Sequence, residues 1–288
     1  MSELELLSQH RAFEGSQRYY RHLSAEIGLP MRFSVYLPPE AGTHDAQARR
    51  PVLFFLAGLT CTEETFMIKA GAQRLAAQAG MILVTPDTSP RGAGVPGEDD
   101  SWDFGTGAGF YLDATQAPWR EHYRMDSYIV KELVPLVQRE FQGDPARTGI
   151  FGHSMGGHGA LVLALRNPDV FRSVSAFAPI AAPSQCPWGH KALGGYLGDD
   201  RAAWAQYDAS ELMRKAGRCV FPEGILIDQG LDDGFLQEQL HPHLFEQACA
   251  AAGQALVLNR RAGYDHGYYF ISSFIDGHID HHARILKA

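Results

Sequence analysis

The chain has 288 residues, 45 % hydrophobic, 11 % aromatic and 20 % charged, a globular profile that excludes a disordered polypeptide. Its 25 basic and 33 acidic residues leave a formal charge of −8 with no long basic run, so a nucleic-acid binder is not expected. No apolar run approaches the eighteen or so residues of a membrane span, and the first residues, MSELELLSQHRAFEG, are too polar and acidic for a signal peptide, so no membrane partner and a cytoplasmic location are expected.

Along the chain, MRFSVYL (31–37) alternates like a strand. PVLFFLAG (51–58), MILVTP (81–86), TGIFG (148–152), SVSAFAP (173–179), GILIDQG (224–230) and ALVLN (255–259) read as buried strands. Helical patterns fall at 63–79, 126–141, 155–166, 236–252 and 268–286. This alternation predicts one α/β domain over residues 1–288, with a mainly parallel central sheet and helices on both faces. Two stretches, 87–119 and 179–200, break the pattern and read as long functional loops. Cys61, Cys186, Cys219 and Cys249 lack CxxC spacing, so neither a zinc site nor a disulfide framework is expected.

The loop at 87–119 contains Gly92-Ala-Gly94-Val-Pro-Gly97, a GxGxxG match after a strand. A dinucleotide site requires a helix to open there, and Pro96 with the glycines at 105, 107 and 109 opposes one, so no nucleotide cofactor is expected. His278, His281 and His282 share a helical face, yet no carboxylate or cysteine pattern joins them, and no metal is expected.

Gly152-His153-Ser154-Met155-Gly156 is a GxSxG motif between a strand and a helix. In that context the glycines allow the chain to reverse within a residue or two, holding the serine in a strained backbone with its hydroxyl presented. A hydroxyl alone is a weak nucleophile and needs a base and an orienting acid. Asp232 and Asp233 follow the strand GILIDQG, and His266 follows the last strand, meeting the order Ser, Asp, His. Asp233 is preferred to Asp232 because the later loop position gives more reach; Asp228 falls inside the strand and reads as structural.

The stretches LAGLTCTEETF (56–66), DDSWDFGTGAGFYLDAT (99–115), GHSMGGHGAL (152–161), CPWGHKALGGYLG (186–198), DQGLDDGFL (228–236) and GYDHGYYFI (264–271) together resemble the S-formylglutathione hydrolase, or esterase D, family of the α/β-hydrolase superfamily. The resemblance spans nearly the whole chain. It implies the α/β-hydrolase fold, hydrolysis of S-formylglutathione with side activity on small carboxylic esters, no cofactor, and a homodimer. It places the acid on Asp233, three residues after the glycine of DQG.

By the same resemblance and by the chemistry of acyl transfer, Ser154 attacks the formyl carbon, His266 takes the proton, and Asp233 orients the imidazole. Main-chain N–H groups of Met155 and Leu59 are the expected oxyanion donors. A formyl group is tiny, so bulky side chains should close its pocket; Trp102, Phe104 and Trp188 are the candidates. Lys191 is the candidate cation for the anionic glutathione. Cys61, close to the oxyanion loop, is expected to line the site without performing chemistry, in line with the thiol sensitivity associated with the corresponding cysteine in the family. The competing readings are an ester hydrolase of feruloyl or mycolyl type, and a binding protein lacking a triad residue.

Overall fold

The computed structural model describes residues 4–39 and 49–288. Nine strands form one sheet: β1 (Glu5–Ala12), β2 (Gly15–Leu23), β3 (Pro30–Leu37), β4 (Arg50–Leu56), β5 (Ile82–Pro86), β6 (Gly143–His153), β7 (Ser173–Phe177), β8 (Ile225–Gly230) and β9 (Leu256–Arg261). Their order across the sheet is β1-β2-β3-β5-β4-β6-β7-β8-β9. The first three pair antiparallel, β3 meets β5 antiparallel, and every later pairing is parallel. The parallel strands β5, β7 and β8 are buried at every position, as continuous apolar runs require when both faces are covered.

Helices Ala72–Ala79 and Tyr268–Leu286 pack together, the latter also against β6, β7 and β8. Helix Met155–Arg166 lies on β4, β6 and β7 and carries helix Ala209–Ala216, which in turn packs on Pro242–Ala252. The sheet is thus flanked by helices, as the alternating pattern predicts. No helix among the described residues is long and apolar enough to cross a membrane.

Register brings the site together. Leu56 of β4 pairs with Gly152 of β6, Gly152 with Ala176 of β7, and Phe177 with Asp228 of β8. The carboxyl ends of the central strands therefore finish at one level, and the loops leaving them converge.

Several expected elements differ in detail. The helix expected at 63–79 divides at Gly71, whose φ of 71° lies in the left-handed region, into Thr65–Lys69 and Ala72–Ala79. That expected at 236–252 divides at His241, φ 47°, ahead of Pro242, which lacks the N–H a continuing helix needs. The hairpin β1-β2 was not expected: β1 is largely exposed and carries no apolar alternation to reveal it. The segment 179–200 is only partly loop, since Pro187–Leu197 is helical, with Pro187 at its first position and the Cys186 sulfur accepting from Gly189 N–H. Its three glycines hide that helix from a propensity reading. The segment 87–119, by contrast, forms turns and isolated bridges as expected, with a short 3₁₀ turn beginning at Trp119.

Candidate active site

Ser154 stands at the junction of β6 and helix Met155–Arg166 with φ 58° and ψ −120°, a strained conformation for a residue with a side chain. A Cβ at Gly152 would strike the Gly156 carbonyl, and one at Gly156 would strike the Leu56 and Ala57 carbonyls. Both glycines are therefore set by close backbone approach at the turn. Ser154 N–H donates to Phe177 O at 3.0 Å, tying the elbow to β7.

Asp233 and His266 meet across the ends of β8 and β9. His266 Nδ1 lies 2.5 Å from Asp233 Oδ2, with the aspartate side chain fully buried. Asp233 also accepts from Phe235 N–H at 2.9 Å and from Gln229 Nε2 at 3.2 Å, so its orientation is fixed before any ligand arrives. With Nδ1 engaged, Nε2 is the imidazole nitrogen left for Ser154. Asp232 is exposed and engages Tyr264 through its main chain only; Asp228 is buried inside β8 against Arg261 and His278.

Ser154 and His266 line one cavity of about 150 Å³ with Gly58, Leu59, Cys61, Trp102, His153, Trp188, Phe235 and Tyr268. Its aromatic wall is continuous: Trp102 sits edge-on to Trp188 with ring centroids 5.7 Å apart, Trp188 meets Phe235 at 4.7 Å, and Phe235 meets His266 at 5.0 Å. No aspartate, glutamate, lysine or arginine lines it, so the space suits a small uncharged group.

The loop that follows β4 is held from outside. Thr60 N–H donates to Gly107 O at 2.9 Å and Cys61 N–H to Gly58 O at 3.3 Å, while Tyr111 Oη donates to Ala57 O at 2.8 Å. Among the described residues the N–H groups of Leu59 and Met155 donate to no protein acceptor, and both residues flank Ser154. Met155 opens its helix, where the first N–H groups lack intrahelical partners.

Burial pushes the Cys61 thiol above its usual range, eased by the Thr65 and Tyr268 hydroxyls and by Lys69. His153 packs its ring 4.5 Å from that of His266, and neither of its nitrogens has a hydrogen-bond partner. Burial, then the neighbouring His266, holds its pKa well below the ordinary histidine value, so it is a neutral wall.

Two expected pocket residues lie elsewhere. Phe104 stacks on Tyr196 at 4.5 Å and packs edge-on to Trp119 at 4.7 Å, filling the gap left by Gly195 instead of the cavity. Lys191 is engaged by Asp103 and Ser101 on the protein's own surface, so it is not a free cation at the cavity. Phe235, His153 and Tyr268 were not singled out as lining residues. Their signal was adjacency: Phe235 stands two residues after the acid, Tyr268 two after the histidine, and His153 beside the serine.

A serine elbow, a histidine held by a buried aspartate and two unengaged N–H groups over an α/β sheet define an esterase of the α/β-hydrolase class. The family model described as "Putative esterase" matches residues 24–281. S-formylglutathione hydrolases of Rattus norvegicus and Arabidopsis thaliana are each 51 % identical to this chain; the matches cover 99 % of it and 100 % and 99 % of those proteins. The structure of an S-formylglutathione hydrolase from Agrobacterium tumefaciens superposes with a TM-score of 0.92 at 49 % identity, covering 98 % of this chain and 99 % of that one. The chain belongs to the S-formylglutathione hydrolase family.

Proposed function

We propose that this protein hydrolyses S-formylglutathione to formate and glutathione, the second half of formaldehyde detoxification, with side activity on small carboxylic esters. The observation that carries this reading is the full-length match to S-formylglutathione hydrolases, together with a small, largely aromatic cavity of about 150 Å³ shared by Ser154 and His266. The triad residues a mere binding protein would have lost are present.

In acylation, Ser154 Oγ attacks the formyl carbon while its proton passes to His266 Nε2. The developing oxyanion is received by the N–H groups of Leu59 and Met155, and Asp233 stabilises the imidazolium through Nδ1. The C–S bond breaks and the glutathione sulfur leaves, either taking the proton from His266 Nε2 as thiol or departing as thiolate while that proton passes to solvent; both routes return the imidazole to its neutral form, and with a thiol pKa of about 8.5 proton donation matters less here than for an alkoxide. In deacylation His266 takes a proton from water, whose oxygen attacks the formyl-serine ester, and returns it to Ser154 as formate departs. Cys61 lines the cavity and takes no part in either transfer.

One domain, a cytoplasmic location and a homodimer complete the reading; the single continuous sheet formed by the described residues supports the first. Side-by-side turnover of S-formylglutathione, S-lactoylglutathione and p-nitrophenyl acetate tests the substrate. The formyl thioester should be hydrolysed at least about a hundredfold faster in kcat/KM than the lactoyl thioester. Equal rates would refute the acyl-pocket argument.

A further inference from the structure

The cavity at Ser154 contains no charged lining residue, yet glutathione carries two carboxylates and an ammonium. Across Cys61 lies a second cleft of about 480 Å³, lined in part by Arg32, Thr62, Glu63, Asp87, Ser89 and Arg91. It sits at the same carboxyl edge of the sheet. Glu63 follows β4, Asp87 follows β5, and Arg32, near the start of antiparallel β3, accepts Asp87 N–H on its carbonyl at 3.1 Å.

The charges in this cleft are incompletely matched. Asp87 holds Arg91 by two hydrogen bonds, Nε to Oδ2 at 2.7 Å and Nη2 to Oδ1 at 2.9 Å, and Arg91 Nη2 reaches the Cys61 carbonyl at 3.2 Å. That leaves Nη1 of Arg91 without a partner among the described residues. Glu63 is 3 % exposed, yet the nearest cation is Arg32 Nη1 at 4.0 Å, and among the described residues its carboxylate is supported by its own main-chain N–H and by no other side chain's hydrogen bond. Burial, followed by Asp87, accordingly pushes the Glu63 carboxyl up. A buried carboxylate so placed is stabilised by an incoming cation, and the half-exposed Arg32 and Arg91 by an incoming anion.

We infer that this cleft takes the γ-glutamyl head of glutathione, its α-carboxylate on Arg32 and Arg91 and its α-ammonium on Glu63. The inference rests on the proposed substrate. Reach agrees with it: Glu63 follows β4, one strand from β6, and Arg32 lies on β3, three strands or about 14 Å away at a spacing of about 4.8 Å, a gap its own long side chain shortens. The seven bonds from the sulfur to the glutamyl Cα extend about 9 Å. The cleft's pairing of opposite charges selects an α-amino-acid zwitterion over a simple dicarboxylate.

Glu63→Gln and Arg32→Gln test the assignment, because Arg91 also braces Asp87 and Cys61. Each is assayed with S-formylglutathione, with the analogue whose glutamyl α-ammonium is replaced by hydrogen, and with S-formyl-N-acetylcysteine. Glu63→Gln should raise KM for S-formylglutathione about tenfold while its kcat changes little, and should show about a tenfold smaller penalty with the deamino analogue. Arg32→Gln should lower kcat/KM for both γ-glutamyl substrates relative to S-formyl-N-acetylcysteine, and it supplies the test if the Glu63 variant does not fold. Equal penalties across all three substrates, or none, overturn the subsite. If the wild type itself does not prefer S-formylglutathione to S-formyl-N-acetylcysteine, the substrate reading fails instead.

Discussion

The described residues hold two serine–histidine–aspartate constellations, and only one of them opens onto a cavity. In the interior, Ser175 Oγ lies 2.8 Å from His278 Nδ1, and His278 Nε2 lies 3.0 Å from Asp228 Oδ2. At the sheet edge, Asp233 holds Nδ1 of His266, and Ser154 shares its cavity. The interior set has its imidazole reversed, with serine on Nδ1 and acid on Nε2. Ser175 sits inside regular β7, fully buried, and also contacts His282 Nε2 at 2.9 Å; Asp228 is neutralised by Arg261 at 2.7 Å. Residue types in contact therefore do not define a hydrolase. A strained elbow, a cavity and free N–H donors separate the candidate active site from a polar staple joining β7, β8 and the final helix.

The sharpest way to test that division is to delete each serine. Ser154→Ala should lower kcat by roughly 10⁴- to 10⁶-fold with the fold intact. Ser175→Ala should leave kcat within about threefold and lower stability by about 1 kcal/mol through a lost hydrogen bond. Retained turnover in Ser154→Ala above about one per cent, in a preparation free of other esterases, would remove Ser154 as nucleophile.

The acids offer a parallel comparison at somewhat smaller scale. Asp233→Asn should cost roughly three to four orders of magnitude in kcat, and Asp232→Asn little, because its carboxylate is exposed. Asp228→Asn should spare kcat within a few-fold but destabilise by about 2–3 kcal/mol, read as a fall in the chemical unfolding midpoint. It leaves Arg261 without its buried partner, an effect reduced because Arg261 is about one-third exposed. If Asp228→Asn proves as inactive as Asp233→Asn while folded, the interior set is part of the catalytic apparatus.

The buried histidines give the interior a pH dependence. Burial lowers His158 and His281 to about 4, and His278 and His282 also lie below the ordinary value of 6.5. The unfolded chain takes up these protons first, so their stabilising contribution is present above pH 6.5 and is lost as pH falls from 6.5 toward 4. Unfolding midpoints measured across that window should decline steadily. A flat profile would show that these rings are protonated in the native state.

The smallest effect concerns Cys61. Its raised thiol pKa predicts that N-ethylmaleimide inactivates the wild type slowly near pH 7 and faster with rising pH, by blocking the cavity. Cys61→Ser should retain activity within a few-fold and resist the reagent. Unchanged sensitivity would point to another cysteine, and mass mapping of the label identifies which.

The parts of this molecule readable from sequence were those where one physical demand acts locally. Buried strands are apolar runs, and the elbow needs glycine on either side of Ser154. Asp233 is preferred from its later place on the loop after β8; what separates it physically from Asp232 is the turn that buries one and exposes the other. β1 was hidden because its residues face water, and helix Pro187–Leu197 because glycines that fit beside Pro183 and Phe104 look like loop residues. Lys191 and Phe104 were misplaced for one reason: a loop's composition does not say which of its side chains its own neighbours engage.

The spacing of the site along the chain has a consequence for synthesis. The elbow serine is made more than a hundred residues before His266, and the acid also comes late. With Ser154 as nucleophile and His266 as its base, a fragment ending before the ninth strand lacks the imidazole and should show no turnover, which an assay of a chain truncated ahead of Leu256 would check.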